Sequence, residues 1–172
     1  MLAVCAYAAL AFLVGVSSAA SGQTQPEGCV AITGATGFVA GHVIEVLLKG
    51  GYAVHGTVRS LKREDKYAHL KALEKKYDGT IKLFEADLMD ENAFRPVFDG
   101  CWGLLHVASV VASKSPDPMD TVRPAVEGTK HVLKAASETP SIKHVVVTSS
   151  VASIAPSKAK IEASIASGEI AI

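Results

Sequence analysis

The sequence is poor in the features that would assign a protein at once to nucleic-acid binding, metal binding or a disulfide scaffold. Lysine plus arginine and aspartate plus glutamate both total 17, so no excess of positive charge predicts a nucleic-acid partner. The six histidines are scattered and predict no metal site. The three cysteines have no metal-ligand spacing, and an odd number does not predict a disulfide framework. We interpret Cys29 and Cys101 as small buried residues beside strands and expect a small-molecule partner.

Charged side chains are also missing from residues 1–26, where an apolar run over 2–16 precedes small residues at Ser18 and Ala20. This order is typical of a secretory signal peptide cleaved after Ala20, or of an anchor, although the run is too short for a comfortable membrane span and no basic residue precedes it. Two alternatives stay open. The segment is an uncleaved apolar extension, or a wrongly chosen start codon lies upstream of a cytosolic domain that begins near Glu27.

Residues 28–42, GCVAITGATGFVAGH, are the most informative stretch of the sequence. The apolar residues 30–32 predict a buried strand, Gly34 and Gly37 predict a turn without side chains, and residues 38–48 carry apolar residues at helical spacing. A glycine pattern alone is weak evidence, since most loop glycines only form turns. The order of strand, glycine turn and helix makes dinucleotide binding the better interpretation.

The physical reason is the chemistry of a pyrophosphate. Free backbone N–H groups and the positive end of the helix dipole both attract an anion to a helix N-terminus, and side chains would keep it away. Gly34 allows the tight turn, Gly37 allows the backbone to approach the phosphates, and Ala40 is small enough for the helix to pack on the strand.

Strand and helix signals alternate from Glu27 onward, which predicts a parallel sheet covered by helices on both faces. Right-handed crossovers place five strands in the order 3-2-1-4-5, a Rossmann-type doubly wound α/β fold that is incomplete at its C-terminal side. We expect this domain over residues 27–153 and an Ala/Ser-rich tail over 154–172. The expected strands are 30–32, 52–58, IKLFEADL, CWGLLHVAS and KHVVVTSS; the expected helices are 38–48, 61–77, ENAFRPVFDG and one that ends near Glu138.

The last of these helices carries an apolar stripe through Val122, Val126, Leu133 and Ala136. Pro124 is expected either in its first turn or at a kink. Beyond it, the fifth strand is expected to leave an apolar sheet edge open, to be covered by a short helix of the tail or by self-association.

In such a sheet the ligand lies across the carboxyl ends of the strands, so the residues at those ends matter most. Arg59 follows the second strand, where a guanidinium suits a ribose 2′-phosphate and predicts NADP rather than NAD; a solvated surface charge is the alternative. Asp87 follows the third strand and either accepts a hydrogen bond from adenine or caps a helix. His106, in the fourth strand, is interpreted as a core residue, and Ala108 and Ser109 lie where backbone would pass the nicotinamide ribose.

Five blocks over residues 28–153 resemble the extended short-chain dehydrogenase/reductases, within the NAD-dependent epimerase/dehydratase superfamily. The similarity is greatest to the branch of dihydroflavonol, cinnamoyl-CoA and aldehyde reductases. The blocks are VAITGATGFVAGHVIEVLLKGGYAVHGTVRS, FEADLMD, LLHVAS, RPAVEGTKHVLKAA and KHVVVTSS. The resemblance implies an NADP-dependent oxidoreductase that transfers hydride to a small carbonyl substrate, and it suggests a cytoplasmic protein whereas the first twenty residues suggest secretion.

The resemblance also implies residue roles. The catalytic serine is Ser150, with Ser149 as the alternative, and its hydroxyl would hydrogen-bond the substrate carbonyl. The implied cofactor-binding residues are Gly34, Thr36, Gly37, Phe38 and Val39 at the pyrophosphate, Arg59 and Lys66 at the 2′-phosphate, Asp87 and Leu88 at adenine, Val107, Ala108 and Ser109 at the ribose, and Thr148.

The sequence departs from the family pattern at the proton donor. The family's Tyr-x-x-x-Lys motif should follow Ser150 by some thirty residues or more, but no tyrosine follows Tyr77. General acid catalysis contributes about 10²- to 10⁴-fold, so this chain alone is expected to reduce carbonyls poorly or not at all. Three hypotheses follow: an incomplete copy or part of a longer reductase, a dinucleotide-binding module without turnover, or a nonfunctional remnant.

Overall fold

The computed structural model describes residues 28–110, 117–150 and 158–167. Strands and helices alternate along the described chain. Their order is β1 (Cys29–Thr33), α1 (Phe38–Lys49), β2 (Ala53–Val58), α2 (Glu64–Tyr77), β3 (Ile81–Glu85), α3 (Arg95–Phe98), β4 (Cys101–His106), α4 (Met119–Ser137), β5 (His144–Val147) and α5 (Lys158–Ser167). The signal-like segment and part of the tail lie outside the described residues.

The five strands form one parallel sheet in the order β3-β2-β1-β4-β5, which confirms the predicted fold. Strand β1 lies at the centre and pairs with β2 on one side and β4 on the other. Thr33 at the end of β1 lies beside His106 at the end of β4. The chain order reverses between these two strands, so their carboxyl ends form the switch point of the sheet.

Strand β1 is buried on both faces because helices cover the sheet from both sides. Val30 and Ile32 pack with Ile44 of α1 and Leu70 of α2. On the other face, Ala31 packs with residues of α3 and α4, among them Phe98 and Val132. This double burial explains why the strand reads as a continuous apolar run rather than an alternating one.

The apolar stripe predicted for α4 faces the wrong way in part. Val122, Val126 and Leu133 are exposed, and only Ala136 of the predicted stripe is buried. The residues that α4 buries are Gly128, Val132, Ala135 and Ala136, most of them smaller than the exposed ones. Hydrophobicity alone pointed to the larger residues, whereas close packing of the helix on the sheet selects the smaller ones. Pro124 lies inside the helix rather than in its first turn.

Cys29 and Cys101 are buried beside strands as predicted, but they also form a disulfide, which the sequence interpretation missed. They are the first residues of β1 and β4, and their Cα atoms lie 4.2 Å apart. Each follows a glycine with a positive φ, Gly28 and Gly100. A Cβ on Gly28 would lie 2.4 Å from the carbonyl oxygen of Gly100, so glycine is required for the strands to approach this closely.

The last strand of the sheet, β5, pairs with β4 and is exposed over most of its length, including Val145 and Val147. The tail does form a short helix, α5, whose described side chains are largely exposed. Within the described part of the chain, no helix is both long and apolar enough to cross a membrane.

Candidate functional site

A cleft of about 640 Å³ lies across the carboxyl ends of β1, β2, β3 and β4. This is the position where ligands bind in doubly wound sheets. Its walls come from the turn after β1, the ends of β2 and β3, the loop after β4 and one residue after β5. The lining residues are Gly34, Thr36, Gly37, Phe38, Val39, Ala40, Thr57, Val58, Arg59, Ala86, Asp87, Leu88, Met89, Phe94, Val107, Ala108, Ser109, Val110 and Thr148.

The glycine turn between β1 and α1 forms the floor of the cleft. Gly34 has φ +69°, and a Cβ there would lie 3.0 Å from the Cβ of Ala108, so this position favours glycine on both counts. Gly37 is the N-cap of α1, with no side-chain cap and no acidic residue in the first turn. The first N–H groups of any helix have no intrahelical partner, and here no side-chain cap occupies them. This end of the helix therefore suits an anion.

Thr57 of β2 fixes the start of this turn. Its hydroxyl oxygen accepts a hydrogen bond from the N–H of Gly34 at 2.9 Å, and its carbonyl accepts one from Ala35 at 2.8 Å. The Gly37 N–H donates to the Gly34 carbonyl at 2.9 Å. The turn is held by the protein itself, so a ligand meets a preformed backbone.

A buried hydrogen-bond network holds the opposite wall. The Thr33 hydroxyl oxygen accepts from the N–H groups of Val107 at 3.1 Å and Ala108 at 3.0 Å, and lies 2.8 Å from Nδ1 of His106. With both lone pairs occupied, the hydroxyl donates its proton to Nδ1. The imidazole therefore carries its proton on Nε2, which donates to the Thr129 hydroxyl at 3.2 Å.

This network needs a neutral imidazole, because a protonated Nδ1 would face a donor. Burial lowers the pKa of His106, which favours the neutral form. The sequence interpretation of His106 as a core residue missed this role. The parallel register could have indicated this role, because it places His106 directly beside Thr33, the residue before Gly34.

Helix α4 holds the wall of the cleft that follows β3 and contains Asp87 and Leu88. Nδ1–H of His131 donates to the Leu88 carbonyl at 2.9 Å, and a Cβ on Gly128 would lie 2.8 Å from the Cβ of Leu88. The Asp87 carboxylate accepts a hydrogen bond from the Met89 N–H at 2.8 Å. This is a side-chain turn rather than a helix cap, and no described residue hydrogen-bonds the second carboxylate oxygen of Asp87, which can accept from a ligand.

Arg59 and Lys66, the two predicted phosphate-binding cations, differ in position. Arg59 follows β2, is exposed and lines the cleft. Within the described residues it forms no ion pair. Lys66 lies in the first turn of α2 and is not among the lining residues.

The structure thus brings every predicted cofactor-binding residue except Lys66 to one cleft. Ser149 and Ser150 follow β5 and are exposed, and neither is among the lining residues, whereas the adjacent Thr148 is. Their roles in binding and catalysis stay predictions. The sequence interpretation also missed Thr57, which hydrogen-bonds Gly34 of the glycine turn, and Thr33, which hydrogen-bonds Val107 and Ala108.

A doubly wound sheet with a glycine turn and a cleft at its switch point is characteristic of the Rossmann-type dinucleotide-binding domains. Residues 30–171 match the NAD dependent epimerase/dehydratase family. The chain belongs to that family, as the resemblance of its sequence blocks predicted.

Individual relatives agree with this assignment. Tetraketide alpha-pyrone reductase 1 of Arabidopsis thaliana is 43% identical over 131 residues, which are 76% of this chain and 40% of that protein. Cinnamoyl-CoA reductase 1 of the same plant is 42% identical over 125 residues, 73% of this chain and 35% of the relative. The crystal structure of Gre2 from Candida albicans in complex with NADPH matches with a TM-score of 0.62 and 36% identity, over 72% of this chain and 37% of that one. The chain thus spans about two fifths of the length of the relatives it matches.

Proposed function

We propose that the cleft binds NADPH and that the chain is the cofactor-binding part of a carbonyl reductase. The observation that carries this proposal is Arg59 at the end of β2, which pairs with no carboxylate of the described residues and lies in the same cleft as the N-terminus of α1. The helix end suits the pyrophosphate, and the guanidinium suits the 2′-phosphate that distinguishes NADPH from NADH.

The residues present fit this cofactor. A Cβ on Gly37 would lie 3.2 Å from the Gly34 carbonyl oxygen and would fill the space in which backbone must approach phosphate. We propose that a carboxylate oxygen of Asp87 accepts a hydrogen bond from the adenine amino group, and that Ala108 and Ser109 border the nicotinamide ribose; all three residues line the cleft, which supports these roles. When bound, the cofactor supplies hydride.

Substitution of Arg59 tests the choice of cofactor. Arg59→Gln should weaken NADPH binding about 10- to 100-fold, because a hydrogen bond to a charged group contributes roughly 1.5–3 kcal/mol, and should leave NADH binding unchanged. Arg63→Gln is the matched control, since Arg63 is paired with Asp65 at 2.9 Å. Equal losses for NADPH and NADH in Arg59→Gln would contradict the proposed role.

For catalysis we propose that Ser150, or its neighbour Ser149, hydrogen-bonds a small carbonyl substrate in the longer reductase. Both follow β5 directly after Thr148, which lines the cleft. The 172-residue sequence has no tyrosine beyond Tyr77 to donate the proton. We therefore expect this chain to bind NADPH without oxidising it in the presence of aldehydes; turnover at the rates of the family would show that another group supplies the proton.

For localisation we propose an oxidising compartment. The signal-like residues 1–26 and the Cys29–Cys101 disulfide support this independently, because disulfides persist mainly in secretory and extracellular environments. N-terminal sequencing of the protein from its source tests the proposal. A mature N-terminus after Ala20 is expected, and a native protein that retains residues 1–20 would contradict cleavage.

We also propose that copies of the chain associate through β5. This strand pairs with β4, and Val145 and Val147 are 43% and 44% exposed. An exposed apolar strand at a sheet edge favours pairing with another chain. Sedimentation of the chain should show concentration-dependent dimers that Val145→Lys abolishes, and a monomer at all concentrations would contradict association.

A further inference from the structure

The end of the sheet opposite the cleft carries a second cluster of reactive side chains. Cys29 begins β1, Cys101 begins β4, and His55 lies in β2. Both sulfur atoms and one ring nitrogen of His55 lie within 4.8 Å of one another. Three adjacent strands therefore bring two thiol groups and an imidazole together, in a part of the fold that dinucleotide binding does not use.

The surroundings of His55 fix its tautomer. Nδ1 lies 2.8 Å from the carbonyl oxygen of Val97 in α3. A carbonyl oxygen only accepts hydrogen bonds, so Nδ1 carries the proton and Nε2 carries the free lone pair. A histidine that ligates a metal typically donates its other N–H to a backbone carbonyl in this way. The ring of Phe84 lies against the imidazole, with 4.9 Å between the ring centroids, and limits its rotation.

The same carbonyl is placed to serve the reduced form of Cys101. The Sγ atom of Cys101 lies 3.7 Å from the Val97 oxygen. A thiol at this position can donate a weak hydrogen bond to that oxygen, whereas a disulfide sulfur has no proton to donate. Cys29 and Cys101 are buried and His55 is half-buried, so the histidine is the accessible member of the cluster.

We propose that the reduced chain binds a zinc ion through Cys29, Cys101 and His55, and that zinc and the disulfide are alternative occupants of this position. Two thiolates and an imidazole are typical zinc ligands, with Zn–S distances of about 2.3 Å and Zn–N distances of about 2.0 Å. In a tetrahedral site these distances separate the ligand atoms by about 3.5–3.8 Å. The two sulfurs move apart from their bonded distance, and water fills the fourth position.

The conversion balances in electrons and protons. A dithiol reductant transfers two electrons and two protons to the S–S bond, leaves Cys29 and Cys101 as thiols, and becomes a disulfide itself. Zinc then displaces the two thiol protons and binds the lone pair of neutral His55. The metal is not oxidised or reduced.

The consequence is that the two halves of the sheet stay connected in either redox state. The disulfide joins residues separated by 72 positions, and zinc would join the same two residues and add β2 through His55. Because a ligand that binds only the native state stabilises it, zinc should raise the stability of the reduced chain and leave the disulfide form unchanged.

The test uses the full 172-residue chain, reduced and then freed of reductant without oxygen. Zinc titrated against a chelating indicator should bind at one ion per chain, and the native mass should increase by one zinc less two protons. Cys29→Ser and Cys101→Ser should abolish binding, and His55→Gln should weaken it by at least about 10-fold, the lower range for loss of even an outer partner of a metal site. Cys5→Ser is the matched control and should bind as the parent chain does.

The outcomes separate the proposal from its alternatives. If reduction unfolds the chain, zinc should restore its circular dichroism; zinc that binds without refolding it would overturn the proposal. Affinity that survives in His55→Gln would overturn it too, as would absence of binding in a folded reduced chain. Alkylation provides an independent readout, since zinc should protect Cys29 and Cys101 but not Cys5. NADPH binding does not enter this test.

Discussion

Breaking the Cys29–Cys101 disulfide should reduce the free energy of unfolding by about 4 kcal/mol. The bond joins the first residues of two neighbouring strands across a sequence separation of 72. The closed segment contains the rest of β1 and then α1, β2, α2, β3 and α3, so the bond restricts more than a third of the chain in its unfolded state. The chain-entropy relation gives about 15 cal/mol/K for a loop of this length, or about 4.4 kcal/mol at 25 °C.

Urea unfolding measures this difference directly. With a dependence of about 2 kcal/mol per molar urea, the midpoint should fall by about 2 M when a phosphine reduces the chain, with a chelator present to exclude zinc. Reduction is the cleaner perturbation, since both sulfur atoms stay in the core. Cys29→Ala/Cys101→Ala is the matched control and should unfold at the same midpoint with and without reductant. Cys5→Ala should respond to reduction as the parent chain does.

Two results would contradict a stabilising disulfide. Three titratable thiols in the unfolded, unreduced chain would show that the bond does not form. A disulfide that forms but whose reduction leaves the midpoint unchanged would show that the unfolded chain gains little freedom, and that the bond is not a significant source of stability.

Three further changes probe the walls of the cleft. Thr33→Val removes the shared partner of two strand-end N–H groups and of His106, and should lower the free energy of unfolding by about 2–3 kcal/mol, whereas Thr33→Ser should stay close to the parent in urea unfolding. Gly34→Ala places a Cβ at φ +69° and against Ala108, and should cost about 1–2 kcal/mol by the same measurement. Burial lowers the pKa of His106 from 6.5, so the unfolded chain binds more protons below that value. The contribution of neutral His106 to the free energy of unfolding should therefore be complete above pH 6.5 and should decrease as the pH falls toward the folded pKa. His106→Asn should lack this pH-dependent contribution. Identical pH profiles of stability in the variant and the parent chain would contradict it.

Much of the fold was predictable because local patterns and the rules of parallel sheets agree. The apolar run 30–32, the glycine turn and the alternation of elements were sufficient for the strand order. The ends of the strands then placed Arg59, Asp87 and Ala108 together, because carboxyl ends of parallel strands meet at one edge of a sheet.

The features that were not predicted depend on register and close packing. The disulfide required knowing that Gly28-Cys29 and Gly100-Cys101 begin neighbouring strands at the same level, information that the predicted strand order contained but that cysteine counting ignored. The orientation of α4 depended on Gly128, whose lack of a side chain lets Leu88 approach. Hydrophobic periodicity predicts that the larger apolar residues are buried, whereas a close contact of this kind buries the small ones.

The tautomer and the hydrogen-bonding role of His106 could not be predicted from the sequence. Its function follows from three simultaneous hydrogen bonds to one hydroxyl, that of Thr33. A strand pattern shows which residues are buried, but it does not show which polar atoms satisfy each other. Buried polar residues next to a ligand-binding turn therefore need the three-dimensional structure for their interpretation.

Cofactor binding by the cleft is tested most directly by calorimetric titration of the folded, disulfide-bonded chain with NADPH and with NADH. Saturable binding of one NADPH per chain is expected, with NADH weaker by at least about 10-fold because only NADPH has the 2′-phosphate for Arg59. A folded chain that binds neither cofactor, or that binds both equally, would contradict it.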